Sequence, residues 1–178
     1  MATSFNEEVI EKLSQGGKVL LSPRLGTMKN EGTDSVAVGF SSIFWNTLWT
    51  NGQAPHTLGI LCDEEHPALE LFPTSYHSDY QWWDAMSHCN AIPLHKLNNV
   101  KPIVRIIDDW FTARSLGLIV EMKVGGGSLI LCGADLVSDI ENRPEARQLM
   151  NSMLHYMNGN LFKPVQQITV RQLRELFK

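Results

Sequence analysis

Apolar positions along this chain follow two alternating patterns. Short unbroken runs are bounded by glycine, proline or acidic residues, and between them lie stretches in which apolar residues recur three and four apart. The first pattern predicts buried strands and the second predicts helices with one face on a core. Ser4-Phe5-Asn6-Glu7 reads as a capping box for a short helix carrying Val9, Ile10 and Leu13, which stops at Gly16-Gly17. Strands are expected at residues 18–22, 57–62, 91–94 and 103–107. Ser78-Asp79-Tyr80-Gln81 is a second capping box, opening a helix through Trp82, Trp83, Ala85 and Met86 whose apolar face is expected to take Trp83.

After residue 110 the grammar changes. Residues 116–124 and 128–132 are apolar runs separated only by Gly125-Gly126-Gly127, which predicts an antiparallel hairpin. Asn142 and Pro144 start a helix that turns Ala146, Leu149, Met150, Met153, Leu154 and Met157 inward and ends at Gly159. A last capped helix runs from Thr169 through Leu173 and Leu176. Residues 26–40 show no periodicity and are expected to be a loop. Together these elements predict a single α/β domain over residues 1–178, a three-layer sandwich whose sheet is mainly parallel with a C-terminal antiparallel hairpin. Parallel strands would bring Pro23-Arg24-Leu25-Gly26, Asp63-Glu64-Glu65-His66 and Asp108-Asp109-Trp110 to one rim, where ligands of such folds bind.

Composition narrows the possible functions. A formal charge of −4 with 15 scattered Lys and Arg offers no basic surface, so nucleic acid is not an expected partner. No apolar run reaches the roughly 20 residues that span a bilayer, so no membrane partner is expected, and the first residues lack the pattern of a signal peptide. Cys62, Cys89 and Cys132 stand singly, without metal or disulfide spacing, and are expected to be buried free thiols.

One segment is unusual. Residues 44–84 hold four of the five Trp and three of the six His. Indole faces stack on the C–H face of a pyranose and His, Asn or Asp answer its hydroxyls, so Trp45, Trp49, His56, His77, Trp82, Asp108 and Trp110 are the candidate ligand-binding residues. The competing reading is that the same aromatics anchor a core. A Cys-His nucleophile at Cys62 with His66 or His77 is disfavoured by Asp63, Glu64 and Glu65, which oppose a thiolate. Asp108 and Asp109, as neighbours on extended backbone, point to opposite faces and do not make a glycosidase pair. No paired His spacing, Walker loop or dinucleotide fingerprint occurs, so no metal and no cofactor are expected.

The runs Gly17-Lys18-Val19-Leu20-Leu21-Ser22-Pro23-Arg24-Leu25-Gly26, Phe44-Trp45-Asn46-Thr47-Leu48-Trp49, Pro55-His56-Thr57-Leu58-Gly59-Ile60-Leu61-Cys62-Asp63, Tyr76-His77-Ser78, Gln81-Trp82-Trp83-Asp84, Ile106-Ile107-Asp108-Asp109-Trp110-Phe111 and Asn142-Arg143-Pro144 resemble the C-terminal region of large bacterial glycoside hydrolase family 2 enzymes, the β-galactosidase-like hydrolases of gut Bacteroides. The resemblance implies a noncatalytic accessory domain, a fragment of a larger glycoside hydrolase. Its fold would be flavodoxin-like and similar to class I glutamine amidotransferases, without their nucleophile elbow or Cys-His-Glu triad. The family's catalytic glutamates would sit in a barrel of about 250 residues that this chain does not contain, so no catalytic residue is assigned here. Implied partners are the remaining domains of the parent glycoside hydrolase, an oligosaccharide at the aromatic cluster, or further copies of the chain as a homo-oligomer. The implied location is periplasmic or secreted. A small stand-alone hydrolase using Cys62 or a strand-end carboxylate is the third expectation.

Overall fold

The computed structural model describes residues 1–29, 36–40, 56–110 and 112–178. The elements follow in chain order: α1 (Glu7–Ser14), β1 (Lys18–Leu21), β2 (Gly59–Cys62), α2 (Trp83–Ser87), β3 (Ile92–Pro93), β4 (Pro102–Ile107), β5 (Leu116–Val124), β6 (Gly127–Cys132), α3 (Pro144–Asn158), β7 (Gln167–Ile168) and α4 (Val170–Arg174). The protein is therefore α/β, as its periodicities predict.

Strand direction departs from the expectation. One seven-stranded sheet has the path β1-β6-β5-β4-β2, with β3 and β7 both paired to β5. Only β1–β6 and β5–β7 are parallel, whereas β2–β4, β3–β5, β4–β5 and β5–β6 are antiparallel, so the sheet is mixed rather than mainly parallel. Apolar runs report burial on both faces of a sheet, and burial carries no information about direction. Because β2 runs against β4, their carboxyl ends lie at opposite ends of the sheet, and the shared rim expected for Asp63 and Asp108 does not form. Asp63 instead meets Ile103 at the beginning of β4. The ends of β1, β4 and β6 do share a rim, because those three strands run the same way.

Both faces of the sheet are apolar. On one, Ile60, Val104, Ile106, Leu118, Ile130 and Cys132 pack against α2, α3 and a 3-10 turn at Pro67–Leu69. On the other, Val19, Leu21, Val120, Met122, Leu129 and Leu131 pack against Val9 and Leu13 of α1 and Leu173 of α4. That second face is covered unevenly: Leu61 of β2, paired with exposed Arg105 of β4, is 42 % exposed.

The helix ends follow their capping chemistry, with small shifts. Asn6, rather than Ser4, caps α1, its Oδ1 accepting the Val9 N–H at 3.0 Å. Asp79, rather than Ser78, caps the 3-10 turn Tyr80–Trp82 that leads into α2. Thr169 and Gln172 form the full capping box of α4. Pro144 sits in the first turn of α3, where its missing N–H costs nothing. In the β5–β6 hairpin, Gly125 adopts φ 61° as the first residue of the turn. Two residues on, a Cβ at Gly127 would collide with backbone of α1, so glycine there permits the helix to lie directly on the hairpin.

Candidate functional site

Four separate segments meet where β4 ends and β2 begins. Leu58 donates its N–H to Ile107 O at 2.8 Å, placing residues 56–58 beside the exit of β4. Residues 36–40 lie against them: Thr57 N–H donates to Ala37 O at 3.0 Å, and Gly39 N–H donates to Thr57 Oγ1 at 3.0 Å. Ser78 Oγ closes on Gly59 and brings the Ser78–Trp83 segment to the same end. The β4–β5 connection, through its residues 108–110 and 112–115, is the fourth contributor.

These segments carry an aromatic rim. Phe40 and Trp83 stack with ring centroids 5.7 Å apart and planes 11° from parallel, an offset arrangement. Trp83 remains 57 % exposed, Tyr80 one helical turn earlier is 88 % exposed, and Trp110 on the β4–β5 loop is 56 % exposed. Isolated exposed apolar residues are ordinary, but several large aromatics gathered at one end of a sheet mark a surface with a use.

The loop that presents Trp110 is rigidly built. Asp108 accepts three hydrogen bonds from Arg114: from its backbone N–H at 2.7 Å, from Nε at 2.8 Å and from Nη2 at 2.9 Å. Asp109 Oδ1 accepts the Thr112 N–H at 2.9 Å, and its other oxygen lies 3.5 Å from Arg114 Nη2. Both carboxylates are buried, so each is committed to holding the loop rather than to proton transfer.

The candidate ligand residues thus have different fates. Trp110 is displayed on the rim, His56 lies beside Gly39 with Nδ1 2.7 Å from Thr57 O, and Asp108 is the structural anchor of the loop. His77 is exposed on the outer side of β2, bridged to Leu61 and edge-on to Tyr76. Trp82 is removed from the candidate surface: it is 0 % exposed, packs edge-on against Phe72 at 5.0 Å, and donates Nε1–H to Thr74 Oγ1 at 2.7 Å. The expectation that Trp83 takes the apolar face is reversed for the same reason. Trp82, Ala85 and Met86 are spaced three and four apart and all face the core, which turns Trp83 outward. That spacing was the available signal for Trp83 and Tyr80, which the candidate set missed; Phe40, in an aperiodic stretch, carried none. Trp45 and Trp49 lie outside the described residues.

The thiols are not arranged as nucleophiles. Cys62 is buried and its thiol is pushed up to about 12, first by burial, which outweighs the lowering effect of a hydrogen bond with Thr74, and then by the smaller effects of Asp79 and Glu64. Burial raises Cys89 and Cys132 to about 12 as well. Among the described residues no group of three or more His, Cys, Asp or Glu is placed to hold a metal ion. No helix among them is long and apolar enough to cross a membrane.

A second polar cluster lies at the far end of β4. Asp63 pairs with Lys101 at 2.8 Å in a groove also lined by His66, Glu121 and Gln166, and Tyr156 Oη donates to Glu121 Oε2 at 2.8 Å. His66 Nδ1 accepts the Ala68 N–H at 3.2 Å, and burial lowers its pKa below the usual imidazole value.

No characterised protein matches the chain. A protein family described as a domain of unknown function (DUF8487) matches residues 1–178, and the chain belongs to that family.

Proposed function

We propose that this chain is a noncatalytic accessory domain of a β-galactosidase-like family 2 glycoside hydrolase, packing against a neighbouring domain or a second copy through the aromatic rim. The observation that carries the reading is the rim itself: Tyr80, Trp83 and Trp110 are exposed at one end of the sheet, and the described carboxylates flanking them are engaged, Asp108 and Asp109 by Arg114, Asp84 by Arg143 and Asp79 by the Gln81 N–H. Exposed indoles whose described neighbouring acids are already engaged suit a contact surface better than a hydrolytic centre. For the fold, we propose a three-layer, flavodoxin-like arrangement akin to class I glutamine amidotransferases; helices packed on both faces of the sheet support it, while the antiparallel pairings β2–β4, β3–β5, β4–β5 and β5–β6 depart from its parallel sheet.

The second reading is a carbohydrate-binding module, favoured by the offset Phe40–Trp83 pair, whose flat outer face has the dimensions of a sugar ring. One pair of measurements separates the two. Light scattering across a concentration series is expected to show self-association that Trp83→Ser with Trp110→Ser abolishes, while tryptophan fluorescence stays unchanged by galactosides, glucuronides and plant-wall oligosaccharides. A monomer at all concentrations with saturable quenching by one of these sugars would overturn the packing reading in favour of the module.

A further inference from the structure

The exits of β1 and β6 diverge. These strands are adjacent and parallel, yet the chain leaving β1 turns to the α1 and α4 face, where Met28 is buried and pairs with Phe177, whereas the chain leaving β6 turns to the opposite face and enters α3. Such a switch point opens a crevice outside the carboxyl ends of the two strands, the place where open α/β sheets bind ligands. A groove of about 350 Å³ lies there, lined by Thr3, Ser22, Arg24, Leu25, Asp135, Val137 and Ser138.

Its walls are fixed in place. Ser22 Oγ donates to Ala134 O at 2.7 Å and accepts the Leu136 N–H at 3.2 Å, stitching the two exits together. Asn90 spends both ends of its amide on the Arg24 loop, accepting the Gly26 N–H at 3.0 Å and donating to Pro23 O at 3.1 Å and Arg24 O at 3.3 Å. Arg24 N–H donates to Thr3 O at 3.2 Å, and Thr27 Oγ1 donates to Arg24 O at 2.6 Å. On the other wall, Asp135 Oδ1 accepts the N–H groups of Val137 and Ser138, both at 2.9 Å, and Arg143 Nη1 stands 4.0 Å from it.

This leaves one charge uncommitted. The Arg24 backbone is held by four hydrogen bonds to Thr3, Thr27 and Asn90, but its exposed guanidinium has no hydrogen bond or ion pair among the described residues. Beside it, Leu25 and Val137 are each 46 % exposed and supply apolar surface. We infer that this groove is a binding site for a small oxyanion-bearing ligand, whose carboxylate or phosphate pairs with the Arg24 guanidinium while its apolar part rests on Leu25 and Val137. A planar guanidinium on a rigid loop matches either oxyanion in a two-bond contact. The site is remote in sequence from the aromatic rim and does not depend on the packing role proposed for it.

The test is a titration of the 178-residue chain followed by amide chemical shifts, with sodium glucuronate, inorganic phosphate and glucose at constant ionic strength. One of the two anions is expected to give saturable shifts confined to residues 24–27 and 135–138, and which one does so distinguishes a carboxylate from a phosphate ligand. Arg24→Gln is expected to weaken that binding at least about tenfold, and Arg24→Lys to recover part of it. Arg24 is exposed and its side chain supports no other residue, so the variant is expected to keep the wild-type spectrum elsewhere. Absence of saturable shifts with both anions, equal shifts in Arg24→Gln, or equal shifts with glucose would each overturn the inference.

Discussion

Trp82 and Trp83 are chain neighbours with opposite surroundings, and the contrast between them extends to a buried and an open half of the molecule. Trp82 belongs to the enclosed core between the sheet and the helices α2 and α3, where its ring packs on Phe72 and its Nε1–H reaches Thr74. Trp83 belongs to the half around β2 and the end of β4, where Leu61 is open, Arg105 is exposed and aromatics face outward. Burial in the first half stabilises the fold, whereas exposure in the second does nothing for it. A large apolar side chain kept at the surface therefore points to a role outside folding.

The sharpest way to break this comparison is to truncate both rings. Trp82→Ala is expected to cost about 3–5 kcal/mol, since it empties a fully enclosed site and leaves Thr74 without its donor. Trp83→Ala is expected to stay within about 1 kcal/mol, losing only the stack on Phe40. Chemical denaturation of the two variants compares them directly, and equal losses would mean that the exposed half is as structural as the buried one.

Next in size is the loop that carries Trp110. Arg114→Leu removes the partner of two buried carboxylates and is expected to cost about 3 kcal/mol or more, as broken buried pairs do. Arg114→Lys restores the charge but not the two-bond fork, and is expected to fall between. If instead both variants match the wild-type protein in denaturation midpoint, the loop is not the rigid mount described for Trp110.

How much of this was legible in the sequence follows from the same division. The β5–β6 hairpin, α3 and the capped α4 are predicted nearly to the residue, because each is specified by local chemistry: a glycine turn, a proline in the first helical turn, a Thr-Gln box. Strand direction is not local. Nothing in Gly59-Ile60-Leu61-Cys62 distinguishes pairing parallel or antiparallel to β4, and that choice decides which strand ends share a rim. The site is legible only in part: the three- and four-residue spacing of Trp82, Ala85 and Met86 turns Trp83 outward, but nothing local to Phe40 announces that it stacks on that ring.

The thiols supply a smaller test of burial. Cys62, Cys89 and Cys132 are each raised from 9.0 to about 12 by burial, so the folded protein holds these protons more tightly than the unfolded chain. Their contribution to stability is complete below pH 9 and is expected to be lost as pH rises from there toward 12. Near neutral pH a thiol reagent is expected to label none of the three until denaturant is added. Rapid labelling of Cys62 in the native state would instead place it in the open half and revive the stand-alone hydrolase.

The smallest expected effect lies at His66, at the boundary between the halves. Burial lowers its pKa, opposed by Glu121 and Asp63, so the unfolded chain takes up a proton at a higher pH than the folded protein does. The sign is opposite to that of the thiols: the contribution of neutral His66 is present above about pH 6.5 and is lost as pH falls through the lowered folded value. Because the ring is only half buried the slope is shallow, and solvent screening keeps it so. Comparing denaturation midpoints at pH 7.5 and 5.5 for wild type and His66→Gln isolates it, since glutamine cannot titrate and its side-chain oxygen is able to accept the Ala68 N–H in place of Nδ1. A wild-type acid slope that the substitution reduces is the expected outcome; identical slopes would show that His66 takes up its proton as readily folded as unfolded, and that its groove is as open to water as the surface around Leu61.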